Sequence, residues 1–346
     1  RKIFSFYVLM IIAIVGIKAQ ATYKQTDILK SYKEAEELVN LGKYAIAQPI
    51  LQDFIVKYEN KTLDKSNLIY GDAIFLKALC EKEIASSEAE KDLIYFADNF
   101  KGHPKINNAY FHLGDMAFAK ANYNDVLAFF DKVDESSLAG KDRAEFQYKR
   151  AFANFALKKF SPARMYFNQI ASDKKHPYNE EGNYYSGLSS YYLKDYNAAY
   201  KSFQPLEISK KYGKIIPYYI TSIKFINKDY KGVIEYGEAK LKEKVNYQNE
   251  IMHLLGNSYY ELKDYDKALY YLEKYTQNAA KVTPEDYYVL GYVQAQGGKC
   301  DKAIENLKQL SPLQDALGQN AMFLLGQCYE KTGNKPEART AFLQAA

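Results

Sequence analysis

The sequence has no tryptophan, three cysteines and four histidines among its 346 residues. Each shortage removes a class of chemistry. Cys80, Cys300 and Cys328 are odd in number and far apart, so they lay out no disulfide framework and have no metal-ligand spacing. They read as small buried hydrophobes. His103, His112, His176 and His253 are equally scattered. None has the i, i+4 partner with which a helix holds zinc. HExxH, GxSxG, GxxxxGKS/T and CxxC patterns are missing. Glu180 and Glu181 read as a solvated helix start, not as an acid/base pair. The sequence therefore points to no enzyme, metal or cofactor.

Basic blocks are scarce too. The formal charge is +5, falling to +2 without Arg1, Lys2 and Lys18. That balance favours neither nucleic acid nor an anionic membrane surface. Long apolar runs are confined to one place, Phe6 to Ile17. Arg1 and Lys2 precede it and "KAQA" follows, the three-part pattern of a secretory signal peptide over 1–21, cut after Ala19 or Ala21. Twelve apolar residues are too few for a membrane span, which needs about 20. No cysteine follows the run to take a lipid. The expectation is an exported, periplasmic protein without a membrane span once the signal is removed.

Tyrosine, by contrast, is abundant, with 34 copies. The excess follows a period. Small residues recur at Ala35, Ala78, Gly114, Ala151, Gly187, Thr221, Gly256, Gly291 and Gly326, at intervals of 43, 36, 37, 36, 34, 35, 35 and 35. Nine residues after this reference come Tyr44, Tyr123, Phe160, Tyr196, Tyr230 and Tyr265. Twelve after come Ala47, Val126, Ala163, Ala199, Val233, Ala268, Ala303 and Ala338. Sixteen after come Leu51, Ile94, Phe130, Phe167, Phe203, Leu272, Leu307 and Phe342. Spacings of three, four and seven are helical. A polar turn, "LKD", "NKD" or "TGN", splits each unit into two short helices. Pro284 behind Thr283 and Pro336 are helix starts. "GGKC" at 297–300 is one such turn, with Cys300 in the column otherwise held by Tyr or Phe.

The columns Leu255, Gly256, Tyr259, Tyr265, Ala268 and the later apolar residues resemble the tetratricopeptide repeat. The match is strongest over 249–346, good over 107–240 and weaker over 27–100, where Ser87 and Glu90 replace the usual aromatic and Ala. The leader, the early "YKEAEELVNLGKYAIAQPILQDFI" and the overall order resemble large exported tetratricopeptide proteins of Bacteroidetes. The resemblance implies an all-α, right-handed α-solenoid superhelix of about nine helix pairs, because one pair cannot bury its apolar face alone. The organisation expected is a leader at 1–21, divergent units at 22–104 and a regular array at 105–346. The array ends without a polar capping helix, so it is expected to continue past Ala346 or to be covered by a partner.

The resemblance also implies a concave wall built by the first helix of each pair. Three residues before the reference come Tyr32, Phe75, Phe111, Tyr148, Tyr184, Tyr218, His253, Tyr288 and Phe323; four after come Phe118, Phe155, Tyr191, Phe225 and Tyr260. The positions −3, +1 and +4 share a helical face. The candidate partner-binding residues are Tyr148, Phe155, Tyr184, Tyr191, Tyr218, Phe225, His253, Asn257, Tyr260, Tyr288 and Tyr292. Two readings stand: packing against the next unit, or a groove for a partner. Grooves that grip a terminal carboxylate are lined with Lys, Asn and Arg, and Asn257 alone does not make one. The function expected is a non-enzymatic scaffold that binds a protein or peptide in the cell envelope, within an outer-membrane assembly or secretion system. The alternative is a glycan-binding accessory of the starch-utilisation type, whose lipidated Cys and long insertions this chain lacks.

Overall fold

A computed structural model describes residues 29–60 and 67–346. The leader over 1–21 lies outside the described residues. These are all-helical, with eighteen α-helices and no strand among them. None of these helices is long and apolar enough to cross a membrane.

The chain forms two compact units, one up to Tyr178 and one from Asn179. The first holds α1 (29–40), α2 (Tyr44–Glu59), α3 (Leu68–Glu83), α4 (Ala89–Asn99), α5 (Ile106–Ala119), α6 (Tyr123–Phe130), α7 (Gly140–Ala156) and α8 (Phe160–Ser172). The second holds α9 (Asn179–Tyr192), α10 (Tyr196–Phe203), α11 (Ile216–Ile226), α12 (Tyr230–Leu241), α13 (Gln248–Glu261), α14 (Tyr265–Asn278), α15 (Pro284–Gln296), α16 (Cys300–Leu307), α17 (Ala316–Lys331) and α18 (Lys335–Ala345). They pair into nine hairpins. Within each unit the second helix of a hairpin packs on the first helix of the next, as α4 on α5 and α14 on α15. First helices also touch one another, as α5 with α7 and α13 with α15. This is an α-solenoid arrangement, in which each hairpin buries the face its neighbour leaves open.

The reference column exists because two helices meet there. A methyl built on Gly187 would lie 2.5 Å from Phe203 Cε1, and one on Gly326 2.6 Å from Phe342 Cε1. On Gly256 and Gly291 it would lie 2.7 Å from Leu272 Cγ and Leu307 Cγ. Gly114 faces Phe130 in the same way. The partner is always the residue sixteen positions on, so the two columns form one knob and one gap. Phe130, Phe167 and Phe203 are fully buried, each worth about 1.5–3 kcal/mol relative to exposure. In the sixth hairpin the sizes are exchanged: Thr221 is the larger residue, and sixteen on stands Gly237, against Leu255 and Ile251 of α13.

Seven residues after the reference the backbone turns left-handed in all nine hairpins: Gly42, Ala85, Ala121, Lys158, Lys194, Lys228, Lys263, Gly298 and Gly333 have φ between 55° and 80°. The next residue closes the first helix. Asp264 N–H, for example, donates to Tyr259 O at 2.9 Å, a Schellman closure. The same Asp264 then caps α14, its carboxylate accepting from Lys267 N–H. Asp195 and Asp229 cap α10 and α12 likewise. The polar turn is thus a joint with one residue serving both helices.

One column needs correction in the second hairpin. Ile94, expected inside, is 40% exposed, while Ala89, Leu93 and Phe96 are fully buried. Here α4 starts late, after Ser86 and Ser87, and its inward residues come one position earlier than the count from Ala78 gives. Ala89 and Leu93 therefore do the work assigned to Glu90 and Ile94.

Candidate partner-binding face

All eleven candidate residues lie on first helices, and every one is half-buried. In the first unit, Tyr148 of α7 stacks on Tyr178 with ring centroids 4.5 Å apart. It also meets Phe152 at 6.0 Å, and Phe155 packs edge-on to Phe160 across the hairpin turn at 5.7 Å.

The second unit repeats both contacts. Tyr184 stacks on Tyr212 at 4.4 Å, and Tyr218 meets Tyr247 at 5.2 Å. The partner in each case sits in the linker that leads into the next hairpin. Tyr191 meets Tyr196 at 5.5 Å, Phe225 meets Tyr230 at 5.7 Å, and Tyr260 meets Tyr265 at 6.5 Å. These are edge-to-face or tilted pairs, the geometries aromatic quadrupoles favour. The −3 rings therefore lean on the following linker, and the +4 rings on the far side of their own turn. The linker tyrosines 178, 212 and 247 stand nine residues before the next reference, a column visible in the sequence only once the linkers are aligned from their downstream end.

Hydroxyl chemistry links these rings further. Tyr191 Oη lies 2.8 Å from Ser222 Oγ of α11. Burial pushes the Tyr184 and Tyr218 phenols above their ordinary range, so they remain neutral and able to donate. Tyr192 and Tyr247, beside this group, are 54% and 46% exposed. The result is a neutral, tyrosine-rich surface on α9, α11 and the linker between α12 and α13.

His253 is different. Its ring lies over Tyr275 at 4.4 Å, and Nε2 is 2.6 Å from Asp286 Oδ1. Asp286 is buried at 4% exposure, and accepts also from Thr283 N–H at 2.9 Å and Tyr275 Oη at 3.3 Å. Burial alone would raise its carboxyl, but the hydrogen bonds from His253 and Thr283 win and hold it down at about 2. Asn257 donates to its own helix, at His253 O, 2.9 Å away. Tyr288, Tyr292 and Tyr260 form a chain, with centroids 6.3 and 5.5 Å apart.

Family models describe these hairpins. Residues 250–281 and 288–346 each match a tetratricopeptide-repeat model. The hairpins from α13 to α18 are tetratricopeptide repeats. No curated protein matches the sequence. Among solved structures, the C-terminal part of a tetratricopeptide-repeat protein from Cytophaga hutchinsonii is similar to it with a TM-score of 0.52 and 16% identity, over 68% of this chain and 93% of the other. A tetratricopeptide-repeat protein from Parabacteroides merdae aligns with a TM-score of 0.42 and 14% identity, over 82% of this chain and 99% of the other. At such identities the likeness concerns the fold.

The sequence did not reveal a second feature of these repeats. In the first unit α3, α5 and α7 also carry a chain of linked charges. Lys82 of α3 pairs with Asp115 of α5 at 2.9 Å, Asp115 with Lys149 of α7, and Lys149 with Glu145 at 2.7 Å. Burial opposes the ionised Asp115, yet hydrogen bonds from Lys149 and Lys82 hold it below the usual carboxylate range. Burial, with Lys82 nearby, lowers His112 to about 4, so it is neutral at physiological pH. The four charges are i, i+4 neighbours or lie one repeat apart, and that 33- or 34-residue separation is the signal that would have found them.

Proposed function

We propose that this chain is a non-enzymatic scaffold of the cell envelope. It captures a protein or peptide on the ring-lined face of its first helices, as part of an outer-membrane assembly or secretion system. Tetratricopeptide repeats support protein–protein interaction, and no chemistry competes with that reading here. One observation carries it furthest: the tyrosine-rich surface of α9 and α11, with Tyr192 and Tyr247 beside it 54% and 46% exposed. Rings held from one side are already ordered, so covering the other side costs little rotamer entropy. Their hydroxyls suit the N–H and C=O groups of a bound chain.

The test is the pair Tyr184→Ala with Tyr218→Ala, compared with Tyr184→Phe with Tyr218→Phe, in affinity capture from the envelope fraction of the native cell. The Phe pair keeps both stacks. The Ala pair is expected to lose a reproducible partner that the wild-type chain retains, with helical circular dichroism preserved. An Ala pair that captures the same partner, or that unfolds, removes the support for this face. The location is tested separately: the natural product, recovered by fractionation, is expected in the periplasm with an N-terminus that follows Ala19 or Ala21.

A further inference from the structure

The hairpin of α15 and α16 departs from the ring pairing of the three hairpins before it. In those an aromatic four after the reference meets an aromatic nine after it: Tyr191 meets Tyr196, Phe225 meets Tyr230 and Tyr260 meets Tyr265. Here those places hold Ala295 and Cys300, both buried. α17 packs directly on α16. Cys328 of α17 lies in the same buried cluster as Cys300, close enough for that thiol to act on it. Both cysteines belong to one core cluster with Ala295, Ala303, Leu325 and Tyr329. They are 7% and 1% exposed. Cys80, the remaining cysteine, is buried in the first unit, which has no second cysteine. The spacing of the three cysteines forms no framework along the chain, but solenoid stacking brings two of them into one cluster.

We propose that Cys300 and Cys328 form a disulfide that staples the eighth hairpin to the ninth. The two thiols lose two protons and two electrons as the S–S bond forms. The electrons pass to the disulfide of an oxidant of the glutathione or disulfide-oxidoreductase type. One cysteine thiolate attacks it, releasing one thiolate and leaving a mixed disulfide. The second cysteine thiolate then displaces the other half, and the oxidant ends as two thiols. Burial, followed by the neighbouring Cys300 thiol, pushes the Cys328 thiol up to about 12. Exchange in the closed fold is therefore slow, and the bond forms as the chain folds or while the two hairpins transiently part. Once made, it closes a loop that spans the seam between two adjacent hairpins, and so restricts the unfolded chain and ties their interface together.

The experiment uses the full chain refolded from denaturant in a glutathione redox buffer, then alkylated under denaturing conditions and mapped by mass spectrometry. The expected product carries one alkylated cysteine, Cys80, and a linked pair of peptides containing Cys300 and Cys328. Its melting midpoint is expected to fall on reduction. Cys300→Ala and Cys328→Ala are expected to lose that redox-dependent shift. Three alkylated cysteines in the refolded wild-type chain, a cross-link through Cys80, or an unchanged shift in either variant would overturn the proposal.

Discussion

Replacing Gly187 with alanine tests the central packing rule of the array. The new methyl would sit 2.5 Å from Phe203 Cε1 and 2.7 Å from Cδ1, distances that real Cβ atoms do not adopt. The ring has little room to retreat. It is fully buried and stacked on Tyr219 with centroids 5.1 Å apart. Overpacking of this kind costs about 1–3 kcal/mol. The helix gains about 1 kcal/mol from losing glycine, so a net destabilisation of up to about 2 kcal/mol is expected. The array supplies its own rescue. The first hairpin pairs Ala35 with Leu51, both fully buried, so adding Phe203→Leu should restore a combination that the fold already uses. The double variant is expected to be more stable than the sum of its parts by about 1–2 kcal/mol, a coupling typical of residues in contact. Because stacked hairpins can open piecewise, the readout is hydrogen exchange of the α9 and α10 amides, with urea unfolding of the full chain beside it. The fourth hairpin shows how the reasoning could fail, since Ala151 and Phe167 are both fully buried there. If Gly187→Ala is neutral and the coupling absent, α9 and α10 can accommodate a methyl opposite a phenylalanine as α7 and α8 do, and the small column reflects something other than contact.

Other outcomes follow from the same geometry. Lys263 has φ 63°, a conformation that costs a side-chain-bearing residue about 1–2 kcal/mol. Lys263→Gly should therefore raise the urea midpoint, with the gain reduced to below about 1 kcal/mol by the freer unfolded chain. Ala268, fully buried at the α13–α14 contact, should tolerate leucine poorly, losing about 1–3 kcal/mol in the same assay. Asp286 should give the second unit an acid limb. Its folded value of about 2 lies below the ordinary 3.8, so its stabilisation is complete above about pH 4 and disappears as pH falls toward 2. The span amounts to about 2 kcal/mol. Asp286→Asn should lower stability at neutral pH and flatten that limb in acid titrations followed by circular dichroism. An unchanged limb would show that the His253 contact does not set it.

What could be read in advance followed the chemistry within a hairpin. Gly256 and Leu272, or Gly187 and Phe203, are joined by a short turn of fixed geometry, so their spacing survives as a count of sixteen. Contacts between hairpins pass through linkers of unequal length, and counting fails there. Tyr184 finds Tyr212, and His253 finds Asp286, across distances in sequence that share no common number. Inside the second hairpin the turn from Ser86 to Glu88 is built differently, which moved the inward column one position earlier and put Ile94 on the surface. The exchange of Thr221 with Gly237 preserved the fit while breaking the pattern. Cys300 and Cys328 were invisible because their meeting lies across the seam between two hairpins.

The left-handed joint has a consequence for how such a chain changes length. Seven residues from reference to turn is constant in all nine hairpins, whereas the distance between references ranges from 34 to 43. Outside the second hairpin, the residue that closes the first helix also opens the next, so an inserted residue there would sever both. Between hairpins no residue carries that double duty. Lineages of this chain are thus free to acquire or shed segments at the seams after the second helices, whereas the turns inside the hairpins act as fixed rulers. Grafted loops, tags or protease sites should be accepted at the first kind of position and rejected at the second.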